Sequence, residues 1–178
     1  MKTSDSIERV HFDAPWSTGL KVSTGFLAAV VLGGATACAI YFTLSAHPQP
    51  VGISVLVVSA GPAALLTAAL FAVRGYEVKP DALYIQRPLW QTCVPLRGLR
   101  EVTADSQAMR GAFKVCGSSG FLCHVGWFAS RKLGRFKACA TDPKNAVVLR
   151  FENRTWVVTP DDPAQFISRI KQKAGLVT

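Results

Sequence analysis

Cys116, Cys123 and His124 are the side chains in this sequence best suited to chemistry, with Cys93 and Cys139 further off along the chain. Thiolate sulfur and imidazole nitrogen are zinc ligands, and a cysteine meeting a histidine can also serve as nucleophile and base. Structural zinc sites use ligand pairs separated by about two to four residues, and no pair here has that spacing. A nucleophile would need a third, orienting group, and none is evident. Small, buried residues on strands account for these positions. Gly117-Ser118-Ser119-Gly120 is the next candidate, because successive backbone N–H groups can cradle a phosphate. It lacks the Lys-Ser/Thr ending of a phosphate loop and opens no evident helix, so it reads as a glycine-rich turn between strands. No catalytic residue, metal or cofactor is expected.

Charge gives a third candidate. The 178 residues carry 20 Lys and Arg against 11 Asp and Glu, a net charge of +9. Between Arg97 and Lys137 there are eight basic residues against Glu101 and Asp105. Arg110, Lys114, Arg131, Lys132, Arg135 and Lys137, with Trp127 interleaved, form the candidate surface for anionic lipid headgroups. Each Lys or Arg near such a surface contributes about 1 kcal/mol, and the sum falls as salt rises. The plain alternative is a solvated positive face. Nucleic acid is not the expected partner, because of what precedes the basic part.

No Asp, Glu, Lys or Arg occurs between Lys21 and Arg74. Runs of about 22–46 and 51–73 are each long enough to cross roughly 30 Å of hydrocarbon. His47, Pro48, Gln49 and Pro50 separate them as a turn, since prolines so close together stop a helix. Lys2, Arg9 and Lys21 precede the first run, Arg74 and Lys79 follow the second, and the turn has no charge. The positive-inside rule then places both termini in the cytosol, as in a multi-pass protein of the inner membrane. The runs are too long and the N-terminal acids Asp5, Glu8 and Asp13 are wrong for a cleaved signal peptide. Small residues such as Gly33-Gly34-Ala35 and Ala60-Gly61 suit close helix packing and self-association. The five cysteines, irregularly spaced, fit reduced thiols.

Three parts are therefore expected: an N-terminal segment over residues 1–21, a transmembrane helical hairpin over 22–73, and a domain over 74–178. In the last, β-branched and aromatic runs alternate with turn residues. Strands are expected at Tyr76–Lys79, Ala82–Arg87, Thr92–Leu96, Leu99–Ala104, Phe113–Cys116, Phe121–Phe128 and Arg135–Ala140. A hairpin follows, Ala146–Phe151 and Thr155–Thr159 about the turn Glu152-Asn153-Arg154, where the glycosylation sequon Asn153-Arg154-Thr155 is a chance match. Asp162 then caps a helix opening at Pro163, whose Phe166, Ile167, Ile170 and Ala174 make one buried stripe.

Three stretches and their order carry a resemblance: Tyr76-Glu77-Val78-Lys79-Pro80-Asp81-Ala82-Leu83-Tyr84-Ile85, Val94-Pro95-Leu96-Arg97-Gly98-Leu99, and Val157-Val158-Thr159-Pro160-Asp161-Asp162-Pro163. With the glycine-aromatic stretch from Gly117 to Gly134, they make Tyr76 to Lys173 resemble the bacterial pleckstrin-homology-like domains found behind two transmembrane helices. The resemblance implies an α+β protein: the hairpin, then a bent antiparallel seven-stranded sheet or barrel capped by the final helix, without catalytic residues. It implies a membrane-anchored binding module. The expected partners are the bilayer, anionic lipids or a membrane protein, and further copies of the chain in a homo-oligomer.

Overall fold

The computed structural model describes residues 10–45 and 50–176. Lys2, Arg9 and the turn residues His47, Pro48 and Gln49 lie outside the described residues. Helix α1 spans Thr18–Leu44 and α2 spans Val51–Leu70, both long and apolar enough to cross a membrane. At about 1.5 Å per residue they measure roughly 40 and 30 Å, so α1 exceeds a hydrocarbon core by about two turns. The surplus lies at its start. Ser17 caps α1 by accepting from the Leu20 N–H at 3.2 Å, and Leu20 is buried, so the helix begins four residues before the expected Val22. The far end of α2 stops at Leu70 rather than Val73, because Val73 leaves the helix to enter the core.

Apolar side chains point outward all round both helices, Phe26, Leu44, Val51 and Leu66 among them. A core helix would bury them, whereas a lipid-facing helix presents them on purpose. Hydroxyls within the spans bond inside their own helices at several positions, as in Thr36 to the Leu32 carbonyl at 2.9 Å and Thr67 to the Ala63 carbonyl at 2.8 Å. The helices pack on each other where Gly61 of α2 faces Val31 of α1; a Cβ at Gly61 would stand 2.8 Å from Val31 Cγ1. Pro62, the expected kink, lies inside α2.

Beyond the helices the expected architecture is present, a strand-rich region followed by one helix. Strands β1 (Val10–Asp13), β2 (Gly75–Val78), β3 (Ala82–Gln86) and β4 (Gln91–Pro95) form an antiparallel sheet in that order. A second sheet takes the order β5-β9-β10-β8-β7-β6, from β5 (Leu99–Ala104), β6 (Phe113–Phe121), β7 (Cys123–Ser130), β8 (Gly134–Ala140), β9 (Val147–Phe151) and β10 (Thr155–Val158). The described residues thus hold ten strands, the nine read from the sequence and β1, where the resemblance implies seven, in two sheets that do not close into a barrel. The β8–β10 pair is parallel, a departure from the all-antiparallel expectation.

Phe12, Tyr76, Leu83, Ile85, Leu149 and Val158 fill the main core, and helix α3 (Pro163–Ala174) covers it with Phe166 and Ile170. Asp162 caps α3 as expected, accepting from the Gln165 N–H at 2.9 Å. Strand β1 has no expected counterpart. It lies within the N-terminal segment, yet Phe12 is only 2% exposed and its ring meets Phe166 edge-on at 5.2 Å. A smaller core of Phe128, Phe136, Val148 and Val157 lies on the other face of the second sheet. Central strands β9 and β10 are therefore covered on both faces, which explains their uninterrupted apolar runs.

Gly117-Ser118-Ser119-Gly120 is not a turn. It lies inside β6, and the chain reverses at Leu122, whose φ is 60°. Gly117 pairs with Gly126 of β7, at φ values of 129° and 134°. A Cβ on either would lie 2.2 Å from a carbonyl oxygen of the opposite strand, so this crossing requires glycine on both sides.

Candidate functional site

Side chains on a strand alternate between faces, and this separates the thiol and imidazole candidates. Cys123 points into the main core while its neighbour His124 points to the opposite face of β7. Cys116 is exposed and stands opposite Trp127, four residues along β7 from Cys123. Cys139 is buried and Cys93 exposed on another sheet. Burial raises the Cys123 thiol above its ordinary range, raises Cys139 to about 11, and lowers His124. These thiols are therefore protonated and poor nucleophiles at neutral pH. No group of three or more His, Cys, Asp or Glu among the described residues is placed to hold a metal ion.

The seven candidate headgroup residues occupy more than one surface. Trp127 of β7 and Lys137 of β8 are direct cross-strand partners, and Arg135 lies two residues from Lys137 on the same face. Trp127 is 45% exposed, and with Val115, Cys116 and Arg135 it lines a hollow of about 300 Å³. The Lys137 ammonium, on the strand next to Trp127, sits 4.7 Å from the ring centre of Trp156 and is held there by cation–π attraction. Neither Arg135 nor Lys137 forms an ion pair among the described residues.

The other candidates lie elsewhere. Lys114 pairs with Phe128 in the β6–β7 register and so belongs to the opposite face. Arg110 donates to Gln107 at 3.2 Å in the segment leading to β6. Lys132 is held at 2.5 Å by Asp105, whose carboxyl it keeps below the usual range. Arg131 and Lys132 occupy the β7–β8 turn, whereas the Leu122 N–H at the other end of β7 donates to Thr24 Oγ1 of α1 at 3.0 Å. Eight residues of strand at about 3.3 Å each put roughly 25 Å between those ends.

A second concavity, not anticipated as a site, lies where the domain meets the helices. His11, Asp13 and Trp16 from around β1, Ala69 and Ala72 from the end of α2, and Arg74, Arg87 and Leu122 line a cleft of about 710 Å³. The Arg87 guanidinium reaches three elements at once: Nη1 donates to the Phe71 carbonyl at 2.8 Å, Nε to Thr92 Oγ1 at 3.3 Å, and Nη2 to Cys139 Sγ at 3.6 Å. Phe71 also meets Trp90 edge-on at 5.0 Å. Arg74 was legible as a basic residue following the second apolar run, but the cleft depends on β1, which brings His11 and Asp13 beside Gly75.

The two concavities offer cations, indoles and apolar walls. No curated protein and no solved structure matches the chain. Residues 74–174, more than half of the chain, match the family model of the bacterial PH domain, and the chain belongs to that family.

Proposed function

We propose that this chain is a membrane-anchored, non-enzymatic binding module whose basic domain surface engages anionic lipid headgroups at the cytosolic face of the inner membrane. The observation that carries this reading is the hollow beside Trp127. There an exposed indole adjoins Arg135 and has Lys137 as its cross-strand partner, neither cation neutralised by a carboxylate among the described residues. An aromatic ring beside unpaired cations suits the boundary between headgroups and water. Tethering by α1 and α2 supports it, because a domain held at the bilayer needs only weak intrinsic affinity.

The test uses the full-length chain in nanodiscs, with Trp127 as the sole tryptophan. Its fluorescence should be quenched by brominated phosphatidylglycerol, less so as salt rises, and should stay unquenched with brominated phosphatidylcholine. Arg135→Glu with Lys137→Glu should abolish the difference. Equal quenching by both lipids, or by neither, rules out headgroup selection at this surface.

A specific observation favours a second reading, a scaffold binding a protein partner or further copies of itself. Strand β6 is the outer strand of its sheet, nine residues long, with Phe113 65% exposed and Val115 also exposed. Such an edge offers unpaired backbone groups for strand addition. A concentration-dependent homo-oligomer in mild detergent, dispersed by Val115→Pro, would favour this reading; a strict monomer would remove it.

A further inference from the structure

We infer that the cleft between the domain and the end of α2 is a site for the phosphodiester headgroup of a membrane phospholipid, distinct from the hollow at Trp127. The cleft is mixed in character. Part of the lining comes from the end of α2, where Ala69 and, just past the helix, Ala72 leave room for an acyl chain running alongside the helix. The rest of the lining is more polar, with Arg74 and Arg87 as its cations.

Charge and hydrogen-bonding capacity match that ligand. Two guanidinium groups and one carboxylate, Asp13, leave the lining with one net positive charge when His11 is neutral, which a phosphodiester monoanion cancels. His11 Nε2 lies 3.4 Å from the Asp13 carboxylate, and a protonated His11 would add a second net positive charge. Arg87 has five N–H donors, and its three hydrogen bonds leave donors to spare. Neither arginine forms an ion pair among the described residues. The position fits too: the cleft begins at the end of a helix whose length equals one hydrocarbon core, which is where headgroup phosphates lie. Trp16 in the lining and Trp90 against Phe71 stand at the same level, as indoles do at an interface.

The inference shares with the proposed function only the reading of α1 and α2 as membrane-spanning. Full-length protein is released from nanodiscs of phosphatidylglycerol and phosphatidylcholine, and lipids retained on each chain are weighed by native mass spectrometry. The wild type should retain one phospholipid. Arg74→Gln, a change at an exposed side chain, should reduce retention by about fivefold, as loss of one cation near a charged surface predicts. Ala69→Phe, which fills the apolar wall, should reduce it with every charge kept. Arg131→Glu with Lys132→Glu, at the far turn, should leave it unchanged. Retention that ignores both cleft variants, or that only the far-turn pair removes, overturns the inference. Displacement of the lipid by millimolar inorganic phosphate would make this a soluble-phosphate site and overturn the lipid assignment. Loss of the Trp127 quenching difference with retention intact would end the proposed function and leave the cleft standing.

Discussion

Arg87 Nη1 donates to the main-chain carbonyl of Phe71 at 2.8 Å, so a side chain from the end of β3 closes the C-terminal end of α2. A helix terminus leaves carbonyls without partners, and a cation there also meets the negative end of the helix dipole. The bond couples the helix to the domain. Arg87→Met should lower the unfolding free energy in detergent by about 1–2 kcal/mol. Arg87→Lys, which keeps the charge but not the planar fork reaching three elements, should recover only part of this. Full recovery by lysine would mean that charge alone acts.

Gly117 and Gly126 predict a graded response to alanine. Gly134 has a φ of 66° with open space around its missing Cβ, so Gly134→Ala should cost only about 1 kcal/mol of backbone strain. Gly126→Ala meets the same kind of strain and a Cβ only 2.2 Å from the Cys116 carbonyl oxygen, and should cost at least about 3 kcal/mol. Thermal unfolding of both variants checks the order. Equal losses would mean that the β6–β7 crossing relaxes freely.

The contrast between α3 and β1 shows what the sequence made legible. Helix α3 announces itself locally: Asp162 caps, Pro163 opens the first turn, Phe166 and Ile170 repeat at helical spacing, and Gly175 takes the left-handed φ of 69° that ends it. The apolar spans and most strands from β2 to β10 were legible for the same reason, since periodicity and turn residues carry them. Val10–Asp13 is four residues long, with one buried side chain, and its partner β2 is separated from it by both apolar helices. No local pattern carries a pairing of that range. The Trp127, Arg135 and Lys137 group was legible as composition, but not which basic residues share its face. That depends on the register of β7 and β8, and on the bulge between Lys114 and Cys116.

Alkaline pH should weaken the domain through Cys139 and Tyr76. Burial raises the Cys139 thiol from its ordinary 9.0 to about 11, and it also pushes Tyr76 upward. A folded-state value above the unfolded one means that the folded protein holds its proton longer. The stability linked to Cys139 is therefore intact below about pH 9 and is lost as pH rises toward 11, on the order of 2 kcal/mol. Tyr76 extends the loss to higher pH, because burial disfavours its phenolate and its hydroxyl holds the proton by donating it to the Cys139 carbonyl at 2.6 Å. Melting temperatures measured from pH 8 to 11 should fall more steeply for the wild type than for Cys139→Ser, whose hydroxyl does not ionise there. Parallel profiles would exclude Cys139 as the source.

Sidedness is the last prediction, and half of it follows from contacts alone. The start of α1 is bound to the domain by the Ser17 N–H to Thr141 carbonyl bond at 3.4 Å and by the Leu122 bond to Thr24. The end of α2 is bound to the same domain through Phe71 and Arg87. If the helices span the bilayer, the domain must therefore stand on one side and the connection between α1 and α2 on the other. Which side is which rests on charge: the domain carries Lys and Arg directly after α2, while the connection carries none. With the five native cysteines replaced, a cysteine at Ser45, the C-cap of α1, should react with an impermeant maleimide in intact spheroplasts. A cysteine at Lys173 in α3 should react only after lysis. Reaction at Lys173 alone in intact spheroplasts would reverse the orientation and put the domain outside. Reaction at both positions would break the hairpin topology itself, because the contacts that join both helix ends to one domain exclude that pattern for a spanning pair.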